Sequence, residues 1–166
     1  TLSISSVLFI GAAYLASERH VGDLHAGAPE LRPEARFNRD ITEITKRYNV
    51  TTDVLVVIAE ATASGGINPC RSTYTVEAQD NLHWYLENIP GITKVISLSS
   101  VAKRALSGYA EGNLKWTYLP HDERALAFAT SVVDPTTGLL NEACSILPIY
   151  VFTKDHKATT ISTVID

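Results

Sequence analysis

The sequence predicts an α+β domain built from alternating strands and helices, and three observations carry that prediction. Short β-branched runs, DVLVVIA at Asp53–Ala59 and IYVFT at Ile149–Thr153, have the composition of strands. Between them, apolar residues recur at helical spacing, as at Ala78, Leu82, Leu86 and Ile89. Turn residues mark the joints, among them Gly65-Gly66, Pro90-Gly91 and Asp134-Pro135. At 166 residues, 45% apolar and 19% charged, the chain has room for one domain with its own core. A net charge of −4 without any Lys/Arg cluster argues against nucleic acid and against anionic lipid surfaces.

Thr1–Ser17, TLSISSVLFIGAAYLAS, carries no charged side chain. As a helix it would extend about 25 Å, just short of a hydrocarbon core of about 30 Å. Two readings stand open: the end of a transmembrane helix, or a buried core helix with Val7, Ile10, Ala13 and Tyr14 on one face. The first basic residue is Arg19, so the run lacks the basic start of a signal peptide. The chain stops in TTISTVID, which reads as a helix, so both ends read as cuts in a longer polypeptide.

Residues 18–166 supply the domain. Gly22, Gly27, Pro29 and Pro33 make Val21–Arg39 mostly loop, with a short strand at Val21–His25. Asp40 reads as a helix N-cap with Glu43 three residues on, opening a helix to about Asn49. The run Asp53–Ala59 reads as a central strand covered on both faces. After a loop at Ala61–Arg71, Thr73–Ile89 forms a helix with Ala78, Leu82, Tyr85, Leu86 and Ile89 inward and Trp84 assigned to the core. Ile92–Leu98 is a second strand. Ser99 or Ser100 then caps a helix to about Tyr109, with Val101, Ala105 and Tyr109 inward. A short helix follows at Asp122–Ser131, a third strand at Ile149–Thr153, and a last helix capped by Asp155. Strand, helix, strand, helical insertion, strand, helix is the order of a ferredoxin-like split βαβ unit, incomplete at its C-terminus and preceded by an apolar helix.

Candidates for chemistry are few. His20, His25, His83, His121 and His156 include no pair at the i, i+4 spacing of a metal-binding helix, and they read as surface or capping residues. His121-Asp122-Glu123, behind Pro120, is what helix capping alone produces. Asp155-His156-Lys157 is the densest polar cluster and lies between a strand and a helix, where active sites are often found, but an N-cap and a polar first turn also explain it. GxSxG, P-loop and GxGxxG motifs are all missing, so no catalytic, cofactor-binding or metal-binding residue is assigned. Cys70 and Cys144 have no metal-ligand spacing and read either as one bridge or as two buried thiols. Trp116, with Lys115 in GNLKWTYLP, lies in an irregular segment where an exposed indole would mark an interface.

Seven stretches, taken in order, resemble the extracytoplasmic loops of resistance–nodulation–division (RND) superfamily transporters, in the hydrophobe exporter-like, MMPL-domain branch. They are VGDLHAGAPELRPEARFN, TDVLVV, the loop cysteine Cys70, IPGITKVISL, GNLKW, GLLNEACSILPIYVF and TKDHKATTI. The resemblance covers almost all of the chain from Val21 onward. It implies a bacterial inner-membrane protein with two repeats, each with a membrane helix followed by a large periplasmic porter loop of ferredoxin-like subdomains. Thr1–Ser17 is then the end of such a helix, VGDLHAGAPELRP is the exit from the membrane, and the wording is closer to the loop of the second half. The implied function is proton-driven export of hydrophobic compounds or lipids, without enzymatic activity, and with the proton relay in membrane helices that this chain does not include. The implied partners are the cargo, the rest of the transporter, other subunits, and the membrane through the flanking helices. An oxidising periplasm favours a Cys70–Cys144 bridge. The candidate interface or substrate-passage residues are Trp116, Lys115, Asp155 and His156. The alternative from another class is a soluble or singly anchored module that binds a ligand or recruits a protein through the Trp116 region, and the third is an enzyme using Asp155-His156-Lys157.

Overall fold

The computed structural model describes residues 2–17, 31–32, 34–48, 51, 53–63 and 65–165, with side chains from Ile4 onward. Among them are α1 (Leu2–Ser17), α2 (Arg36–Arg47), β1 (Val54–Glu60), α3 (Thr73–Glu87), β2 (Ile92–Ile96), α4 (Leu98–Tyr109), α5 (Glu123–Ser131), β3 (Ile146–Thr153) and α6 (Ala158–Ile165). The α+β class is as predicted. The expected strand at Val21–His25 and the membrane-exit stretch up to Glu30 lie outside the described residues.

The three strands form one sheet in the order β1-β3-β2. Both outer strands run antiparallel to β3, with Val57 opposite Ile149 on one side and Ile96 opposite Tyr150 on the other. It follows that β1 and β2 are parallel to each other, separated by β3. The run expected to be a central strand covered on both faces is therefore an edge strand. Leu55, Val57 and Ala59 are half-buried, while Val56 and Ile58 are 49% and 62% exposed on the other face. An unbroken apolar run shows only that both faces are apolar, and among the described residues no helix covers the face of Val56 and Ile58.

β3 starts three residues before the expected Ile149 and runs through Pro148. The Thr153 N–H donates to Asp53 C=O at 3.0 Å and the Ala61 N–H to Ser145 C=O at 2.9 Å, so odd-numbered residues of β3 direct their backbone groups at β1. The Pro148 nitrogen thus points toward the β2 side, where β2 has already ended opposite Tyr150. The proline costs the ladder no hydrogen bond, which is why it is tolerated inside a central strand.

α3 is capped by Ser72, whose Oγ accepts from the Thr75 N–H, and its buried line is Val76, Gln79, His83 and Leu86. Leu82 and Ile89 pack beside that line, but Tyr85 is exposed and Trp84 is 67% exposed, so the assignment of Trp84 to the core is corrected. A periodicity that counts only apolar residues misplaces this face, because two of its buried positions are polar. α4 begins before the expected caps: Ser97 is the N-cap, with Ser100 returning the bond to the Ser97 N–H in a capping box. Its buried residues are Leu98, Ser99 and Ala102, and Tyr109 is exposed rather than inward. α5 follows the expectation, with the Asp122 carboxylate accepting from the Arg124 and Ala125 N–H groups.

α2 begins four residues before the expected cap at Asp40, which instead pairs with Arg36 one turn back at 3.4 Å. Every described side chain of α1 is exposed, so among the described residues this helix packs against no core. Among the described residues no helix is long and apolar enough to cross a membrane.

The core has two parts. Leu86, Val95, Ile149 and Val151 fill the space between α3 and the sheet. Cys70, Leu98, Val133, Leu139, Leu140, Cys144 and Leu147 form the other, beneath the loops that join the elements. Full burial of each such aliphatic side chain contributes about 1.5–3 kcal/mol.

Candidate functional site

Where the end of β1 meets the first turns of α3, a groove of about 630 Å³ opens on the surface. Ala59 and Ala61 at the end of the strand and Ala78 on the helix line it together with Leu82 and Leu147. The three alanines leave the space, because larger side chains there would close the gap between helix and sheet. Gln79 also lines the groove, yet its amide is directed inward: Oε1 accepts from the Ser99 N–H at 3.1 Å and Nε2 donates to Leu147 C=O at 3.4 Å. The rim carries Tyr74 and Glu123; Glu60 borders the groove at the strand end, but the alternation of β1 turns its side chain with Val56 and Ile58 toward the other face, and none of the lining residues is Lys, Arg or His. Neither glutamate enters an ion pair with a described residue. Chemically this is a binding surface with an apolar floor and one carboxylate, Glu123, on its rim. It presents no activated nucleophile, and among the described residues no group of three His, Cys, Asp or Glu side chains is placed to hold a metal ion.

Next to the groove, a chain of buried polar groups joins α3 to α4. Ser97 Oγ is 2.9 Å from His83 Nδ1 and 2.8 Å from Ser99 Oγ, and it also accepts from the Ser100 N–H. The outer His83 nitrogen lies 3.8 Å from the Glu87 carboxylate. Serine, histidine and glutamate thus stand in the order of a hydrolase triad. Ser97 is fully buried, however, with its hydroxyl already engaged three ways, so no substrate carbonyl reaches it. Burial holds the His83 pKa below its ordinary value, Glu87 and Asp80 oppose that shift, and Lys103 and Arg104 reinforce it. The arrangement is a satisfied core network. Reading His83 as a surface or capping residue is accordingly corrected: burial of a histidine with a serine partner left no trace in local spacing.

Cys70 and Cys144 form a disulfide, with Cα atoms 5.6 Å apart and both residues buried. It ties the turn before α3 to the entry of β3, so it braces the elements that frame the groove. Trp116 and Lys115 sit in a short helical turn at Leu114–Trp116, where the Asn113 carboxamide accepts from the Lys115 N–H. The Trp116 ring stacks on Tyr118 with centroids 6.1 Å apart, and the neighbouring Leu114 is 85% exposed.

The expected Asp155-His156-Lys157 cluster divides. His156 Nδ1 meets the Asp53 carboxylate at 3.0 Å, at the start of β1. The Asp155 carboxylate turns the other way and accepts from the Lys157 N–H, just before α6, and from the Thr160 hydroxyl in its first turn, in place of the expected bond to a helical backbone N–H. Burial works against ionisation of Asp155, but those two hydrogen bonds and the charges of Lys157 and Lys154 outweigh it and hold the carboxyl below its usual range. These contacts fasten the strand ends and the helix start, and they do not bring the three side chains together on one reacting centre. His121 lies elsewhere, on a small cavity of about 180 Å³ with Glu77 and Asp80.

Glu60, Gln79 and Glu123 were not among the residues singled out from the sequence. They come from a strand end, a helix and a second helix start, and only the fold places them around one opening. Compared with known protein families, curated proteins and solved structures, the chain matches none of them.

Proposed function

We propose that this chain is the periplasmic porter domain of a proton-driven exporter in the RND superfamily, MMPL branch, and that it lends a surface to the passage of hydrophobic compounds or lipids across the inner membrane of a bacterium. The observation that carries the reading is the open face of the sheet. Val54, Val56, Ile58 and Ile146 are exposed on the side away from α3, with Tyr150 and Phe152 half-buried among them. A sheet normally buries its apolar face against another layer, and an exposed apolar patch marks a binding surface. A porter domain would use such a face for greasy cargo or for a sister domain.

Three further features support the reading. The order β1-β3-β2, with β1 parallel to β2, is that of the first three strands of a ferredoxin-like unit. A second right-handed crossover, leaving β3 through α6 on the helical side, would lead to the free edge of β1, where a fourth strand belongs. α1 is apolar and exposed on every described side, as suits the end of a helix immersed in lipid, and at 16 residues it is about 24 Å long. The disulfide suits an oxidising compartment. On this reading residues 1–17 end a membrane helix, 18–166 form the periplasmic domain, and the chain has no enzymatic activity of its own.

The test is the parent gene and its product. About a dozen hydrophobic spans in two similar halves, with acidic residues inside the central ones, are expected, together with loss of hydrophobe export on Ile58→Asp. A gene encoding no membrane span beyond this chain would end the exporter reading. The second reading, recruitment of a partner protein, is favoured by the exposed Leu114, Trp116 and Tyr118 group.

A further inference from the structure

We propose that the open face of the sheet is covered by a second copy of this chain, in a weak dimer with two-fold symmetry. The apolar strip of Val54, Val56, Ile58, Ile146 and Phe152 carries a charge at two opposite corners. Lys94 stands opposite Phe152, which stands opposite Val54, and its neighbour Val95 is buried between the sheet and α3, so Lys94 lies on the open side. Glu60 closes the other end: it stands opposite Ile146, and the alternation of β1 sets it on the side of Val56 and Ile58. From Phe152 to Ile146 the chain advances six residues, so the two charges are roughly 20 Å apart along the strands, and with β3 between β2 and β1 they are roughly 10 Å apart across them. Both residues are exposed, and neither enters an ion pair with a described residue.

This pattern is self-complementary. A two-fold dimer sets one patch against itself, so the patch must supply both partners of every polar contact. An axis lying between two such faces, perpendicular to the line from Lys94 to Glu60, exchanges the two corners. Lys94 of each copy then meets Glu60 of the other, with the valines and isoleucines stacked between them. An apolar centre with a charged rim is the anatomy of a protein interface, whereas a face used by greasy cargo alone gains nothing from opposite charges at its ends. The strip is at most roughly 20 Å long and 14 Å wide, and on the β2 side Ile96 and Tyr150 are already packed against the cluster of Leu139 and Leu140. That footprint is well below the about 800 Å² per partner of a standard interface, so the dimer dissociates readily. The proposal rests on the reading of this face as a contact surface and names what covers it.

The experiment follows energy transfer between donor- and acceptor-labelled copies of the whole 166-residue chain in excess nonionic detergent, from about 10 μM to about 1 mM. Wild-type copies should associate as the concentration rises, with the stoichiometry of a dimer. Lys94→Glu and Glu60→Lys should each weaken self-association about tenfold or more, because every corner contact becomes a like-charge pair. Mixed in equal amounts, the two variants should recover the wild-type affinity, since each corner of the mixed dimer again joins opposite charges. A wild-type chain that stays monomeric, association indifferent to both charge reversals, or variants that fail to recover on mixing would overturn the proposal. Contact through the exposed helix α1 alone would give the second of these results. A monomer at every concentration would leave the exporter reading standing, because the parent gene and the export activity of Ile58→Asp decide that separately.

Discussion

Ser97 Oγ stands 2.9 Å from His83 Nδ1 inside the layer between α3 and α4, a buried hydrogen bond that ties the histidine to the cap of the next helix. Because burial pushes the His83 pKa below 6.5, the unfolded chain takes up this proton more readily than the folded one. The stability linked to His83 is therefore fully present above about pH 6.5 and is lost as the pH falls below that value. Asp155 and Asp134, both held below their ordinary 3.8, act only in a more acidic window. The unfolding free energy from urea titration should drop between about pH 7 and pH 5, by at most about 1.4 kcal/mol per pH unit, and His83→Gln should flatten the profile. A wild-type profile already flat across that interval would refute the assignment.

Cys70 and Cys144 close a loop with a sequence separation of 74, which in chain-entropy accounting contributes about 4 kcal/mol. Reduction, or a Cys70→Ser, Cys144→Ser double variant, should lower the unfolding free energy by about that amount. Maleimide should label neither residue in the unreduced, denatured chain. Two labelled thiols there would mean that the bridge does not form in the purified protein.

Tyr150 and Gly138 meet at the end of the turn Pro135–Thr137. The Tyr150 hydroxyl donates to Gly138 C=O at 3.1 Å, and Gly138 has φ +74°. A Cβ built on Gly138 would stand 2.8 Å from Tyr150 Oη, so Gly138→Ala combines left-handed strain with a steric clash. We expect Gly138→Ala to destabilise by about 1–3 kcal/mol. Tyr150→Phe removes the clashing atom together with one hydrogen bond, so the two substitutions should be less than additive. Strict additivity in a double-mutant cycle would show that the clash is relieved by backbone movement instead.

What was legible in the sequence follows from which signals are local. α5 was readable because Asp122 caps it within three residues, and α3 because its apolar positions repeat along one element. The rotation of α3 about its axis was not readable: Gln79 and His83 are buried because Ser97, Ser99 and Leu147 receive them, and those partners lie 14 to 68 residues away in sequence. The β-branched run marks β1 as a strand but not its place in the sheet, since Val54–Ala59 is apolar on both faces whether one or two layers cover it. The groove was invisible for the same reason, its alanines being unremarkable until strand end and helix converge.

Trp116 and Ile58 lie on different surfaces, and substituting them separates the two functional readings. Both are exposed, at 48% and 62%, so Trp116→Ala and Ile58→Asp should each change the stability of the chain by no more than about 1 kcal/mol. Trp116 also stacks on Tyr118, the geometry of an interface anchor, and truncating such a residue in a true interface costs about 2 kcal/mol or more of binding. If recruitment through this patch is the function, Trp116→Ala removes partner capture while Ile58→Asp spares it. If the open sheet face carries hydrophobic cargo, Ile58→Asp in the full-length transporter lowers export because it places a carboxylate among Val54, Val56 and Ile146, and Trp116→Ala leaves export intact. Measuring export and partner binding side by side for the two variants decides which face works, and a variant pair that alters neither would reject both readings.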